Sequence, residues 1–235
     1  MSAADKLSAW AVELSVRGIP ETAEERLEIA EKIVKTAENY GIPKKNLVMD
    51  ALVMTISTGK DNALITLEAL RRIRYEMGIH TVLGVSNISF GLPERGKVTT
   101  TFFTMAMQNG LSAGIVNPSS EPLMSAYYSF NALIGEDDQC MEYIEKCGTP
   151  SEQPKVVSGN KNSDLTLDEA IIKGLTESAY QATMKLLSEG NDSLTIINEK
   201  LIPALDVVGK GFEEKKMFLP QLLMSADAAK ASFEA

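Results

Sequence analysis

The sequence has no long apolar run and no cluster of basic residues, and each absence excludes a class of protein. No uninterrupted apolar stretch approaches about 18 residues, the length that a membrane-spanning helix needs. The N-terminus shows no basic segment followed by an apolar one, so we do not expect secretion. With 23 basic and 32 acidic residues, the formal net charge is −9. An acidic chain without clustered Lys or Arg is not expected to bind nucleic acid.

Cysteine and histidine are also scarce. Cys140 and Cys147 are too few for a disulfide framework, so we expect free thiols in a reducing cytoplasm. The single histidine, His80, disfavours a Ser-His-Asp hydrolase and belongs to no cluster with metal-ligand spacing. We therefore expect no metal site formed by this chain.

The first part of the chain alternates short apolar runs with helical periodicity. Three runs read as strands: Leu47–Met49, ending at Asp50, then Thr81–Val85 and Ala113–Val116. A capping box formed by Thr22 and Glu25 predicts the start of a helix before the first of these runs. Amphipathic helices between the runs indicate βαβ units and a parallel sheet that is buried on both faces. This pattern predicts an α/β domain over residues 1–147.

The character of the sequence changes after about residue 148. Residues 148–163 are rich in Gly, Pro, Ser and Asn, which is typical of a linker. Residues 164–235 are helical in pattern throughout, which predicts a small all-α domain of the four-helix type. The predicted fold class is therefore α/β followed by all-α.

Details of the helical pattern predict where these helices begin and end. A capping box formed by Thr166 and Glu169 opens a helix that runs to about Glu189. A second helix, Ser193–Val208, is interrupted or kinked by Pro203, and Gly209-Lys210-Gly211 follows it as a break. Pro220 suits the first turn of a last helix.

Polar residues follow each predicted strand. Asp50, Ser86, Asn87 and Asn117 stand where the carboxyl ends of parallel strands meet, the edge at which ligands bind in such folds. A carboxylate at Asp50 matches an N–H and an amino group on a heterocycle, and the Asn87 amide both donates and accepts. The alternative is structural, with Asp50 capping the next turn and Asn87 serving as a turn residue.

A second informative stretch is Leu201–Lys230, which contains a Gly- and Lys-rich loop among apolar residues. One interpretation places its apolar side chains in the core of the helix bundle: Phe212, Met217, Phe218 and Leu219. The other is that these side chains cover a large flat ligand.

Particular motifs in both parts resemble one family, the cobalamin-dependent methionine synthases and their corrinoid methyltransferase relatives. DALVMTIST, LGVSNISFGLPERG and AGIVNPSS resemble the pterin-binding domain of that family. LIPALDVVGKGFEEKKMFLPQLLMSADAAK is similar to the helical cap that precedes the corrinoid-binding domain. The resemblance covers the chain from about Gly18 onward.

The resemblance implies a (β/α)8 barrel that binds methyltetrahydrofolate at its strand ends, with cobalamin as cofactor. It assigns Asp50 to hydrogen bonds with the pterin ring and Asn87 to the N5 region as the catalytic residue. Gly84 and Ser86 would line the site, Arg95 would lie near the outer part of the folate, and Asn117 would end the last strand. Phe212 and Leu219 would cover the methyl-bearing face of the corrin.

The chain also departs from this family. A complete (β/α)8 barrel needs roughly 250 residues, but only 147 precede the predicted linker, so we expect the later half of a barrel. The zinc motif of the homocysteine domain and the DxHxxG motif of the corrinoid domain do not occur. The missing barrel half and the corrinoid domain would come from elsewhere, for example a partner chain. Two alternatives stay open: a non-catalytic half-barrel and cap that needs such a partner, and a corrinoid system with another methyl donor, which Asp50 and Asn87 disfavour.

Overall fold

The computed structural model describes residues 9–11, 18–148 and 165–235. By backbone packing the chain divides into two compact units, Met1–Phe130 and Asn131–Ala235. The predicted linker 148–163 lies outside the described residues except for Gly148. The domain boundaries therefore stay a prediction, and each unit is described by itself.

The first unit contains a parallel sheet of four short strands: β1 Ala9–Ala11, β2 Leu47–Asp50, β3 His80–Gly84 and β4 Ala113–Ile115. Their order in the sheet is the order in the chain, and all three neighbouring pairs are parallel. The predicted α/β class with a parallel sheet is confirmed. Sequential order is typical of a barrel wall, whereas the order reverses in a doubly wound sheet. The described strands do not close on themselves, so the half-barrel remains a prediction.

Four helices accompany this sheet: α1 Ala23–Asn39, α2 Asn62–Tyr75, α3 Arg95–Gln108 and α4 Glu121–Leu133, the last extending into the second unit. α1 begins as the sequence predicts, because Thr22 and Glu25 form a reciprocal capping box. Its buried stripe includes Leu27, Ala30 and Val34, which join the core beside the apolar residues of β2 and β3. A 3₁₀ turn, Val85–Ser89, follows β3 directly.

The last strand differs from β2 and β3 in its burial. Leu47 and Leu83, on β2 and β3, are almost fully buried, but all three residues of β4 are exposed, and Ile115 is 60% exposed. The prediction that every strand is buried on both faces is therefore wrong for β4. Among the described strands, β4 has a neighbour on one side only, which is β3.

The described part of the second unit contains α5 Met141–Cys147, α6 Leu167–Ile172, α7 Thr176–Ser188, α8 Ser193–Ile196, α9 Ile202–Glu213 and α10 Leu219–Phe233. Residues 165–235 are thus helical, as predicted. The capping box of Thr166 and Glu169 is confirmed. The single helix predicted to run to Glu189 is wrong, because it breaks between α6 and α7. The break lies at Gly174, whose φ of 67° belongs to the left-handed region. A Cβ on Gly174 would lie 2.6 Å from the Cβ of Met224, so α10 approaches this turn closely.

The helix around Pro203 is longer than the sequence predicts, and its α-helical pattern is interrupted just before that proline. Proline has no N–H to continue the α-helical ladder, and a π-helical turn, Ile197–Leu201, joins α8 to α9 there. The predicted break at Gly209-Lys210-Gly211 is wrong, since α9 continues to Glu213. Gly211 instead admits the side chain of Met217, whose sulfur lies 2.9 Å from the position of a Cβ on that glycine.

Candidate functional site

Asp50 ends β2 beside Val82 of β3. Its Oδ1 accepts a hydrogen bond from the backbone N–H of Leu52 at 2.8 Å, and its second oxygen has no hydrogen-bond partner among the described residues. Burial raises the pKa of the Asp50 carboxyl, whereas the Leu52 hydrogen bond and the charge of Arg26 act to lower it. The turn-capping role is therefore real, and it leaves one oxygen available to a ligand.

Asn87 lies in the 3₁₀ turn that follows β3, and its side chain is exposed. Its amide Nδ2 lies 3.1 Å from the point that a Cβ on Gly84 would occupy. The amide group therefore lies over the end of β3, and a side chain at position 84 would crowd it. No side-chain hydrogen bond engages it within the described ranges, so its donor and acceptor are both available.

Two loops join the Asp50 and Asn87 segments at the same edge of the sheet. The hydroxyls of Thr55 and Ser57 donate to the carbonyl of Phe90 at 2.8 and 2.9 Å. The N–H of Ile56 donates to the carbonyl of Ile88 at 3.0 Å. The sequence analysis did not single out Thr55 and Ser57; the density of hydroxyl residues in TISTGK was the available signal. These bonds hold the loop after β2 against the turn after β3.

Arg95, the first residue of α3, folds back onto the Asn87 turn. Its Nη2 donates to the carbonyl of Ser86 at 2.9 Å and its Nε to the hydroxyl of Ser89 at 3.2 Å. The guanidinium carbon lies 5.7 Å from the centre of the Phe90 ring, within the range of a cation–π contact. Arg95 therefore braces the turn that carries Ser86 and Asn87. Its predicted position near the outer folate stays a prediction.

Asn117 lies just beyond β4 and is exposed. Its Oδ1 accepts a hydrogen bond from the N–H of Ser119 at 3.0 Å, which closes a local turn. Asn117 thus follows its strand as predicted, at the carboxyl end of the sheet, while its carbonyl oxygen is used locally.

In the second unit, Phe212 and Leu219 flank the loop between α9 and α10. Their exposed fractions are 40% and 55%, so the interpretation that places them in the bundle core is wrong. Leu223, one turn after Leu219 on α10, is 53% exposed and extends this apolar surface. The sequence analysis missed Leu223, although its spacing from Leu219 was a usable signal. Exposed apolar side chains mark a binding surface where they form one contiguous patch.

Two absences hold for residues 9–11, 18–148 and 165–235. No group of three or more His, Cys, Asp and Glu side chains that could hold a metal ion was found in these ranges. Over the same part of the chain, no helix combines the length and apolar character needed to cross a membrane.

Comparison with known families divides the chain in two. Residues 15–117 match the family described as pterin binding enzyme, and residues 166–235 match the B12 binding domain. The first range contains Asp50, Asn87 and the other strand-end residues, and the second contains Phe212 and Leu219.

The relatives that the chain resembles are longer than the chain. It is 33% identical over 129 residues to a methylcorrinoid:tetrahydrofolate methyltransferase of Eubacterium limosum, covering 54% of this chain and 47% of that protein. It is 26% identical to the methionine synthases of Mycobacterium tuberculosis and Mycobacterium leprae, covering 94% of this chain and 20% of each. The chain thus spans about half of the first relative and a fifth of the other two.

Proposed function

This chain belongs to the cobalamin-dependent, methionine synthase-like proteins, and we propose that it binds methyltetrahydrofolate at the strand ends of its first unit. In this proposal it takes part in transfer of the N5 methyl group between the folate and a corrinoid cobalt. The observation that carries the proposal is the placement of Asp50 and Asn87. They follow neighbouring parallel strands, and each keeps a polar atom that no described residue engages.

Asp50 would recognise the pterin ring. An ionised carboxylate accepts hydrogen bonds only, and a pterin presents a ring N–H beside an amino group. The oxygen of Asp50 that does not bind Leu52 is available for this contact. Gly84, which has no side chain, would line the site and leave room for the Asn87 amide at the end of β3.

Asn87 would act at N5. A tertiary amine is a poor leaving group until its nitrogen carries a proton, so an acceptor that holds the proton at N5 lowers the barrier to methyl transfer. The carbonyl oxygen of the Asn87 amide supplies such an acceptor without a charge that must be desolvated. Arg95 contributes by bracing the turn through Ser86 and Ser89.

The apolar surface of the second unit fits one face of a corrin. The ring is broad and largely apolar, and Phe212, Leu219 and Leu223 are all exposed between 40% and 55%. Cobalamin, when bound, would supply the cobalt that exchanges the methyl group. The three side chains would exclude water from that face and would have to move aside for each transfer.

The direction of net transfer follows from which substrate is supplied. The name of the Eubacterium limosum relative describes transfer from a methylcorrinoid to tetrahydrofolate, which is the reverse of methionine synthesis. A residue that lowers the barrier in one direction lowers it in the other, so Asn87 and Asp50 serve both.

The second candidate function is a non-catalytic half-barrel and cap that requires a partner chain. It is favoured by the exposed residues of β4, since an unpaired strand at a sheet edge can accept another strand. In this case the partner would supply the missing strands before any pterin binds.

Titration of the full chain with 5-methyltetrahydrofolate tests both candidates. We expect a folded monomer to bind it, and Asn87→Ala to weaken binding by about tenfold, the effect of losing one hydrogen bond to a charged group. The matched control is Asn109→Ala, a half-buried asparagine at the C-terminal end of α3, which should bind as the wild type does. A folded wild-type monomer without affinity for folate would contradict the first candidate, and folate binding by that monomer would contradict the second.

A further inference from the structure

A buried arginine lies behind the Asp50 segment. Arg26 in α1 is only 6% exposed, and its hydrogen-bond partners among the described residues are backbone carbonyls and one hydroxyl, with no carboxylate among them. Its Nη1 instead donates to the carbonyls of Ala51 and Leu52, at 2.9 and 2.7 Å. A buried guanidinium is costly unless it is hydrogen-bonded, and here its partners are the two backbone carbonyls directly after Asp50.

Thr66 in α2 completes the same set of contacts. Its side chain is fully buried, and its hydroxyl accepts a hydrogen bond from Nη1 of Arg26 at 3.1 Å. The hydroxyl proton is shared between the carbonyls of Leu52 and Asn62, at 3.1 and 2.9 Å. Two helices thus hold one carbonyl, that of Leu52.

Leu52 links these contacts to Asp50. Its φ of 60° lies in the left-handed region, which residues other than glycine adopt rarely and only where their surroundings hold them. In this conformation its N–H donates to Oδ1 of Asp50 at 2.8 Å. The carbonyl side of Leu52 is held by Arg26 and Thr66, and its amide side orients the carboxylate.

Arg26 also acts on Asp50 through its charge. Both residues line one small cavity of about 20 Å³. Among the described residues, Arg26 is the charged group that acts electrostatically on the Asp50 carboxyl. Its positive charge favours the ionised form. The same residue therefore influences both the orientation and the charge state of that carboxylate.

We propose that Arg26 and Thr66 are positioning residues for Asp50, which hold Leu52 in its left-handed conformation and so present the carboxylate to the pterin. The importance of this for binding rests on the proposed function, whereas the effect on Asp50 itself does not. Neither residue touches the ligand in this proposal. Their contribution reaches it through the Leu52 backbone.

Two pairs of variants of the full chain test the proposal. Thr66→Val removes the hydroxyl with little change of shape, and Thr66→Ser keeps it. Arg26→Met removes the charge and the donors, and Arg26→Lys keeps the charge. Arg71→Met, an exposed arginine on α2 that pairs with Glu68, is the surface control. The readouts are NMR titration of the Asp50 carboxyl, hydrogen exchange at the Leu52 amide and the dissociation constant for 5-methyltetrahydrofolate.

We expect Thr66→Val to speed exchange at Leu52 and to weaken folate binding by about fivefold, the usual effect of one neutral hydrogen bond. Thr66→Ser should stay close to the wild type. Arg26→Met should raise the pKa of Asp50, because a nearby cation that favours ionisation is lost, and Arg26→Lys should raise it less. Arg71→Met should change none of the three readouts.

The proposal is overturned if exchange at Leu52 and the titration of Asp50 are the same in Thr66→Val and Arg26→Met as in the wild type. Should Arg26→Met fail to fold, Thr66→Val decides the question alone, because it is nearly isosteric. If the variants change Leu52 and Asp50 but the wild type binds no folate, the positioning role stands and the proposed function fails.

Discussion

Gly84 and Asn87 are fitted to each other: the Nδ2 of Asn87 lies 3.1 Å from the position that a Cβ on Gly84 would take. The glycine is not required by its backbone, because its φ of −77° is open to any residue. A Cβ at this position would crowd the Asn87 amide, which would have to shift by a few tenths of an ångström.

Replacing Gly84 by alanine should displace the Asn87 amide without straining the backbone. We expect affinity for 5-methyltetrahydrofolate to fall by about tenfold, while the free energy of unfolding changes by less than about 1 kcal/mol. Calorimetric titration and urea denaturation measure the two effects. The matched control is Gly96→Ala in α3, where no atom lies within 4 Å of the new Cβ. It should bind folate normally and gain up to about 1 kcal/mol of stability; equal folate affinity in both variants would contradict the steric account.

Asp50→Asn should change stability in a pH-dependent way. Burial raises the pKa of Asp50 above its ordinary value of 3.8. Between pH 3.8 and this raised pKa, the folded state holds a proton on Asp50 that the unfolded state has already released. Ionised Asp50 therefore costs stability at neutral pH, and this cost disappears as pH falls through the raised pKa to 3.8.

We therefore expect Asp50→Asn to be at least as stable as the wild type at pH 7, with a difference that shrinks toward acid pH. Denaturant unfolding at several pH values measures this. The variant should lose folate affinity at the same time, since its amide nitrogen would face the donors of the pterin ring. A variant less stable than the wild type at pH 7 would mean that Asp50 is chiefly a structural partner of Arg26.

Substitutions in the apolar surface of the second unit should affect ligand binding more than stability, whereas a substitution in its core should affect stability. Phe212→Ala and Leu219→Ala remove side chains that are 40% and 55% exposed, so each should cost less than about 1.5 kcal/mol of unfolding free energy. Both should weaken binding of methylcobalamin, measured by spectroscopic titration of the full chain. Leu201→Ala removes a side chain that is 1% exposed, and it should cost about 2–5 kcal/mol. Unchanged methylcobalamin binding in both surface variants would contradict the proposal that Phe212 and Leu219 cover one face of the corrin.

Gly174 lies in the turn between α6 and α7, and Gly190, which follows α7, provides the matched control. Both have positive φ, 67° and 88°, but only at Gly174 would a Cβ meet a neighbour, Met224. Gly190→Ala should cost about 1–2 kcal/mol from the backbone alone. Gly174→Ala should cost about 1–3 kcal/mol more, the usual effect of overpacking. Thermal and urea unfolding of both variants measure the difference, and equal losses would show that Met224 moves aside freely.

Features that depend on near neighbours in the chain were predictable. The capping boxes at Thr22 and Thr166 are confirmed because their partners are only three residues away. The helix break at Gly174 is also local: its positive φ and the hydrogen bond from the Leu175 N–H to the Ala170 carbonyl form a glycine C-cap, a signal that the prediction overlooked. The close approaches of Met224 to Gly174 and of Met217 to Gly211 were not predictable, because no local pattern indicates them.

The candidate site likewise has features that the sequence predicts and features that only the structure reveals. The sequence by itself determined the parallel α/β pattern, the polar residues after each strand and the motifs shared with pterin- and B12-binding families, because these are properties of residue order. Only the tertiary structure decided that Phe212 and Leu219 are exposed, that β4 is uncovered and that Arg26 holds the carbonyl of Leu52. Those outcomes depend on which surfaces the packing of separate segments leaves free, and on contacts between residues far apart in the chain.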